Sequence, residues 1–313
     1  MKFEKAPLFT DIAESPAGAV SLWLRAADGN RIRMAVWPSG KKGTILLYPG
    51  RTEYIEKYGM SAGEFLRRGY SFATVDWRGQ GLSDRQHDDR SLCHVGSFSE
   101  FQLDAAAARQ ALSELAVPQP IFLLAHSMGG CIGLRSLHEG FDFRASAFSG
   151  PMWRIYLGRV LRKLALAISK SAVGMGFSKK YVFGTSHRNY IHFAKADKNV
   201  LTSDDEMFLF LRRQIESRTE LSVGGPSYGW FYAAIKEGQT LMEMKPPPGP
   251  ALILLGTNER VVDPKAIRIL HSRWETSRLV TIQGARHEIM MENYALRQEF
   301  FDCVADYFDE HRS

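Results

Sequence analysis

The sequence predicts an α/β protein with a mostly parallel sheet, helices on both faces of that sheet, and a helical insertion. Short apolar runs bounded by glycine or proline alternate with helical patterns, which is typical of parallel strands joined by crossover helices. This alternation stops near residue 151 and resumes near residue 247. The chain of 313 residues is 45% hydrophobic and 24% charged, so it can bury a sizeable core without disulfides.

The first half of the chain contains a predicted hairpin and four buried strands. Two strands, at residues 19–26 and 31–38, flank Asp28-Gly29-Asn30, which favours a tight turn. The apolar runs that follow are residues 43–48, 71–77, 121–125 and 145–148. Helical patterns cover residues 98–115 and 130–138.

The last part of the chain returns to the strand and helix alternation. A proline-rich stretch at residues 246–250 ends the helical segment. A strand at 251–255, a helix from Asp263, a strand at 278–282 and a final helix from about Glu292 complete the prediction. We therefore predict a core made of residues 1–150 and 247–313, and a helical cap at residues 151–246.

The net charge of +6 lies entirely in the predicted cap. Residues 151–246 contain 15 basic and 8 acidic side chains. No helix-turn-helix, zinc finger or other nucleic-acid module is recognisable there, so we expect no nucleic-acid partner. Residues 154–170 are predicted to form the first cap helix. Its apolar stripe consists of Leu157, Val160, Leu161, Leu164 and Ile168, and the cations Arg159, Arg162, Lys163 and Lys170 lie largely opposite.

Two interpretations of this amphipathic helix remain open at this point. It fits a helix that lies on an anionic membrane surface, and it fits a lid helix that packs its stripe on the core while its charges stay solvated. The chain contains no apolar run of ~18 residues. Residues 1–5 include an acid and no apolar run, which is unlike a secretory signal. The three cysteines, Cys93, Cys131 and Cys303, are too scattered for a disulfide framework or a metal site. We expect a cytoplasmic protein with peripheral contact at the inner face of the membrane.

Residues 125–129 have the pattern of a nucleophile elbow. Ser127 follows an apolar strand and precedes a helix, and the positions two before and two after it are the small residues Ala125 and Gly129. A sharp strand-to-helix turn lifts a serine above the sheet and needs small neighbours. The usual pattern is Gly-x-Ser-x-Gly, so Ala125 is a mild departure.

A serine hydroxyl needs a base, and the base needs an orienting acid. His287 follows the last predicted strand, which matches the order nucleophile, acid, histidine. We expect His126, beside the serine, to point elsewhere. Glu259 and Asp263 both follow the strand at 251–255. We favour Glu259, because Asp263 before Pro264 is explained as a helix N-cap, but both acids stay candidates.

The loop after the run at 43–48 is the predicted source of an oxyanion donor. Acyl transfer needs amides aimed at the developing oxyanion. One candidate is the Met128 amide, next to the nucleophile. The other is the Arg51 amide, in a turn that Gly50 makes tight. A plain Pro49-Gly50 turn is the alternative interpretation.

Taken together, five stretches resemble the α/β-hydrolase fold over nearly the whole chain. They also resemble its monoacylglycerol lipase and lysophospholipase L2-like branch. The stretches are residues 49–53 with Tyr58, 76–83, 125–130, 259–263 and 284–288. Two departures are Pro49 where the branch has histidine, and Glu259 where it usually has aspartate. The resemblance implies hydrolysis of a single-acyl lipid ester through an acyl-serine, with no metal or organic cofactor.

We therefore predict a serine ester hydrolase acting on a lysophospholipid or a monoacylglycerol. Ser127 is the nucleophile, His287 the base and Glu259 the orienting acid. Gly50, Tyr228 and Trp230 are the predicted substrate-binding residues. The alternatives are a serine aminopeptidase of the iminopeptidase kind, which needs acidic groups for a free amine, and a catalytically inactive binding protein on the same fold.

Overall fold

The computed structural model describes residues 3–312, which contain one nine-stranded sheet. The strands lie in the order β1-β2-β3-β5-β4-β6-β7-β8-β9. The pairs β1–β2, β2–β3 and β3–β5 are antiparallel, and every pair from β5 to β9 is parallel. The strands are β1 (Glu4–Lys5), β2 (Val20–Arg25), β3 (Arg31–Trp37), β4 (Thr44–Tyr48), β5 (Ser71–Asp76), β6 (Ile121–His126), β7 (Ser146–Ser149), β8 (Ala251–Gly256) and β9 (Ser277–Ile282).

Helices connect most of these strands and cover the sheet. The described α-helices are α1 (Thr10–Ala13), α2 (Gly59–Arg67), α3 (Glu100–Glu114), α4 (Met128–His138), α5 (Arg159–Gly174), α6 (Tyr190–Phe193), α7 (Asp205–Ser217), α8 (Tyr228–Glu243), α9 (Pro264–His271) and α10 (Tyr294–Glu310). The predicted strands lie within one or two residues of the observed ones. Strand β1 and helices α1 and α2 have no counterpart among the elements predicted from the sequence.

The core lies on both faces of the sheet, because successive side chains of a strand point to opposite sides. On one face, Leu123 and Ala125 of β6 belong to a cluster that includes Phe101 of α3 and Ile132 of α4. On the other face, Phe122 and Leu124 of β6 belong to a cluster with Phe65 of α2 and Phe308 of α10. Strand β6 is apolar up to His126 because neither of its faces meets water. The predicted α/β-hydrolase fold, with helices on both faces, is confirmed.

Residues 151–246 lie between β7 and β8 and add no strand to the sheet of the described chain. They form α5, α6, α7 and α8 with short 3₁₀ turns. Side-chain caps begin three of these helices: Asn189 accepts from the Ile191 amide, Asp204 from the Met207 amide, and Ser227 from the Trp230 amide. Helix α8 packs on α4, one of the helices that cover the sheet, and also on α5.

Helix α5 begins at Arg159, five residues later than predicted. Its apolar stripe faces away from the molecule: Val160 is 81% exposed, Leu161 54%, Leu164 53% and Ile168 48%. The opposite side, which includes Ser169 and Ala172, is buried. The interpretation in which this stripe packs on the core is therefore wrong for these four residues. Lys163 and Lys170 are exposed, and the Arg159 side chain lies outside the described part.

No helix within residues 3–312 has the length and apolar character needed to cross a membrane.

Candidate active site

Ser127 lies at the turn between β6 and α4. Its backbone has φ 52° and ψ −117°, a strained conformation for a residue with a side chain. The next turn of chain passes very close to the end of β4: a Cβ on Gly129 would lie 2.0 Å from the Tyr48 carbonyl oxygen. Ala125 is fully buried. The backbone thus has the geometry of a nucleophile elbow, with its small residues where the turn needs them.

His287 reaches Ser127 from the loop that follows β9. Its Nε2 lies 2.9 Å from Ser127 Oγ, and its Nδ1 lies 2.7 Å from Glu259 Oε2. A carboxylate only accepts hydrogen bonds, so the proton on Nδ1 is donated to Glu259. Nε2 is then the unprotonated nitrogen and can accept the serine proton. The structure brings the three predicted side chains together in the order that general-base activation requires.

Glu259 also has a second set of partners. Its Oε1 accepts hydrogen bonds from the amides of Val261 (2.6 Å) and Val262 (3.1 Å). Burial raises the pKa of this carboxyl, but the neighbouring His287 and these amides outweigh it and lower the pKa below its ordinary value. The carboxylate is therefore ionised and fixed in orientation.

Asp263, the other candidate acid, lies at the start of α9. Its side chain accepts from the Lys265 amide as an N-cap, and it pairs with Arg154 (3.5 Å) and Arg162 (3.6 Å). These contacts explain an aspartate at this position without a role at His287.

The loop after β4 carries Arg51, whose amide is one of the two predicted oxyanion donors, and the loop is braced from two sides. The Gly50 amide donates to Glu53 Oε2, and the Thr52 amide donates to Gln80 Oε1. A Cβ on Gly50 would lie 2.8 Å from Glu53 Oε1, so glycine permits this close approach. Within residues 3–312, no hydrogen-bond acceptor is found for the Arg51 or the Met128 amide. Both amides are therefore available to a ligand.

A cavity of about 330 Å³ opens at Ser127 and His287. Trp230, a predicted substrate-binding residue, lines it, and so do several apolar side chains of residues 151–246. Those include Met152, Ile155, Ile191, Val200, Leu201 and Leu211. The structure places Tyr228 elsewhere, in a surface groove beside Ile168 and Phe177. Residues two apart on a helix point about 200° away from each other, so Tyr228 and Trp230 cannot share a wall.

A buried group of charges behind the site was not anticipated. Lys57 Nζ lies 2.8 Å from Glu53 Oε1 and 2.6 Å from Glu288 Oε2. His126 Nε2 lies 3.4 Å and 3.3 Å from the same two oxygens. The only sequence signal was proximity: Glu53 lies in the oxyanion loop, and Glu288 follows His287.

The charges in this group stabilise one another. Burial opposes ionisation of all four, but Lys57 and His126 lower the pKa of Glu53, and lower that of Glu288 well below its ordinary range. The two glutamates in turn raise the pKa of Lys57, and they raise the pKa of His126 to about 10. The oxygens and nitrogen of Glu53, His126 and Glu288 lie within 4.8 Å of one another, a spacing that suits a metal ion. The Lys57 ammonium already supplies positive charge to both carboxylates.

Comparison with known proteins gives one family and a set of lipid-ester hydrolases. The family model described as Hydrolase_4, serine aminopeptidase S33, matches residues 39–294. The chain is 30% identical over 283 residues to lysophospholipase L2 of Escherichia coli K12, covering 86% of this chain and 81% of that protein. It is 26% identical to a probable lysophospholipase L2 of Haemophilus influenzae, covering 85% and 83%.

Solved structures with the same fold include two monoacylglycerol lipases. A soluble variant of the Saccharomyces cerevisiae monoglyceride lipase superposes with a TM-score of 0.74 at 19% identity, covering 93% of this chain and 95% of that chain. The lipase of Paleococcus ferrophilus gives 0.69 at 18% identity, covering 90% and 99%. At these identities the likeness concerns the fold.

Proposed function

Because the chain belongs to the Hydrolase_4 family of α/β-hydrolases (serine aminopeptidase, S33) and is a serine hydrolase of the esterase type, we propose that it cleaves a single-acyl lipid. In this proposal the lipid is a lysophospholipid or a monoacylglycerol, and the reaction passes through an acyl-serine. The observation that carries the proposal is the continuous line Ser127–His287–Glu259, with separations of 2.9 Å and 2.7 Å, at the mouth of a cavity with an apolar wall.

The proposed reaction has two halves, formation and hydrolysis of the acyl-serine, and the same groups act in both. His287 takes the proton of Ser127 while Oγ attacks the ester carbonyl, and the Arg51 and Met128 amides donate to the oxyanion. The imidazolium, stabilised by Glu259, returns the proton to the leaving alcohol. Water then enters by the same route and releases the fatty acid. Each oxyanion donor is worth about 3 kcal/mol in the transition state.

Residues 151–246 are proposed to be a cap that forms the acyl pocket. They supply the apolar wall of the cavity over Ser127, through Met152, Ile155, Ile191, Leu201 and Leu211. Such a wall excludes water from the acyl-enzyme and accepts a hydrocarbon chain. The unpartnered apolar stripe of α5, beside Lys163 and Lys170, supports contact of this cap with an anionic membrane surface.

The side chain of Arg51 favours a lysophospholipid over a neutral monoacylglycerol. Arg51 lines the cavity, and its guanidinium donates to the Gly224 carbonyl at 3.1 Å and lies 5.5 Å from the Trp230 ring. No ion pair to a carboxylate is found for it among residues 3–312, whereas Lys57 has two. A guanidinium without an acidic partner suits the phosphate of a head group.

Arg51→Gln tests the head-group assignment because it removes the charge and keeps the backbone amide. We expect kcat/KM on a lysophospholipid to fall about tenfold more than on a monoacylglycerol with the same acyl chain, the usual worth of a charged hydrogen bond. An equal fall on both substrates would contradict it.

The aminopeptidase alternative is weakened by Lys57. Glu53 and Glu288 line the cavity and have the chemistry to bind a substrate ammonium, but the Lys57 ammonium already pairs with both. A panel of lysophospholipid, monoacylglycerol and aminoacyl anilide, run with wild type and Ser127→Ala, tests the function. We expect turnover of the lipid esters only, lost in Ser127→Ala with the fold intact. Anilide cleavage, or lipid turnover that survives in Ser127→Ala, would overturn the proposal.

A further inference from the structure

We propose that Glu53, Lys57, His126 and Glu288, here called the ion cluster, are positioning residues that lock the three catalytic loops together, with Lys57 as the tie. The inference rests on the proposed esterase mechanism. Each loop sends one member into the cluster: Glu53 lies two residues after Arg51, His126 directly precedes Ser127, and Glu288 directly follows His287. Lys57 joins the first loop to the last, 231 residues apart in sequence.

The cluster acts on the oxyanion loop through Glu53. One carboxylate oxygen, Oε1, pairs with Lys57 at 2.8 Å. The other, Oε2, accepts the Gly50 amide and the Tyr58 hydroxyl. Orientation of this carboxylate therefore sets the peptide that precedes Arg51, whose amide is a proposed oxyanion donor. An amide displaced by a fraction of an ångström loses much of its effect on the transition state.

His126 adds a second cation on the serine side. Its Nδ1 lies 3.0 Å from the Ser149 carbonyl oxygen, and its Nε2 faces the Glu53 and Glu288 carboxylates. Nδ1 donates its proton to that carbonyl, and the two carboxylates near Nε2 overcome burial and raise the pKa of the ring to about 10, which favours the imidazolium. Two carboxylates and two cations then balance. The ring centre lies 4.9 Å from that of His287, so the net charge of the cluster affects the electrostatic potential at the catalytic base.

Stability alone gives little reason for such a cluster. Burying ions costs desolvation energy, and well-packed apolar side chains often stabilise a core equally well. All four residues are at least nine-tenths buried and lie against the reacting groups. This placement instead suits a role in fixing the geometry of the loops and the local charge.

The test compares Lys57→Met with Lys57→Arg on a soluble short-chain ester. In Lys57→Met we expect kcat to fall by about 10- to 100-fold, less than for complete loss of an oxyanion donor, while KM changes by less than about threefold. The cluster then has an excess negative charge that favours the imidazolium form of His287. The acidic limb of the pH–rate profile should therefore move to higher pH. Lys57→Arg should restore most of kcat and the profile.

Lys42→Met is the matched control, because it removes a lysine paired with Asp309 at 2.5 Å, far from the site; its kcat should match wild type. Wild-type kcat and profile in folded Lys57→Met would overturn the inference. Equal losses in Lys57→Met and Lys57→Arg with an unmoved acidic limb would also overturn it, because that result indicates packing alone.

If Lys57→Met does not fold, Glu288→Gln decides. It keeps the shape and removes one negative charge, so the acidic limb should move to lower pH; an unmoved limb would overturn the inference. Labelling of Ser127 by a fluorophosphonate separates this question from the proposed function. If the wild-type protein is not labelled, the esterase mechanism itself is refuted. If labelling is normal and wild type and Lys57→Met have equal rates, only the positioning role is refuted.

Discussion

At residue 259 the proposed orienting acid is a glutamate whose two oxygens bind different partners. Oε2 receives the His287 Nδ1 proton, and Oε1 is held by the amides of Val261 and Val262. The longer side chain, compared with aspartate, lets a residue beyond the end of β8 reach the ring. The second set of bonds compensates for its extra rotatable bond, so the carboxylate stays rigid.

Glu259→Gln is expected to lower kcat by about 10⁴ on any ester substrate. The uncharged amide of glutamine does not accept the hydrogen bond from His287 Nδ1 as a carboxylate does. It therefore favours the wrong histidine tautomer and does not stabilise the imidazolium, as in comparable triads. Steady-state kinetics with a soluble ester, together with the melting temperature, measure this. A loss below about tenfold would mean that another group orients His287.

Asp263→Asn is the control for that experiment. It removes the charge that pairs with Arg154 and Arg162 but keeps a side chain that can cap α9. We expect kcat within about twofold of wild type and a slightly lower melting temperature. A loss of kcat comparable with that of Glu259→Gln would instead assign the acid to Asp263.

Sequence patterns predict residues whose local context is itself distinctive. Ser127 lies in a recognisable strand-to-helix turn with small neighbours. His287 is identified by its position after the last strand, in the chain order nucleophile, acid, histidine. Lys57 has no such context, because its meaning depends on Glu288, which lies 231 residues away. Tyr228 was assigned to the substrate site from an aromatic cluster, whereas the direction of a side chain on a helix depends on the phase of that helix.

At the level of elements, α5 shows what periodicity leaves undetermined. The spacing of Val160, Leu161, Leu164 and Ile168 correctly indicates that they share one face. It does not say what covers that face, and here the buried side of the helix is lined by smaller residues such as Ser169 and Ala172.

Leu164→Glu is expected to weaken binding to vesicles of anionic lipid by about tenfold or more. The change removes an exposed leucine from the stripe, worth roughly 1.5–3 kcal/mol when buried in a bilayer surface, and adds a repelled charge. Vesicle co-sedimentation at low and moderate salt measures it. Ile269→Glu, on an exposed apolar residue of α9, should bind as wild type does. Equal binding of Leu164→Glu and wild type would refute membrane contact through α5.

Across the whole molecule, the parallel part of the sheet explains why distant residues meet. Strands β4, β6, β8 and β9 run in one direction, so the loops that follow them lie along one edge. Those loops carry Arg51, Ser127, Glu259 and His287. The alternation of apolar runs and helices was sufficient to predict this edge. The antiparallel end was harder to predict, because β1 is two residues long and lacks any pattern.

The ion cluster should give the folded protein a distinctive dependence of stability on pH. Despite burial, which alone lowers it, the two glutamates raise the pKa of His126 to about 10, from 6.5. This contribution to stability is fully present below pH 6.5 and is lost as the pH rises through about 10. Between these values the melting temperature of wild type should fall more steeply than that of His126→Gln. Parallel curves would mean that His126 is neutral in the folded state.

The role of Ser127 as the nucleophile is best tested by the mass of the protein after reaction with a fluorophosphonate. We predict one adduct per chain, located on Ser127 by peptide mass spectrometry, formed at a rate that falls in parallel with esterase activity in His287→Ala. An adduct on another residue, or ester hydrolysis by a protein that forms none, would contradict the account.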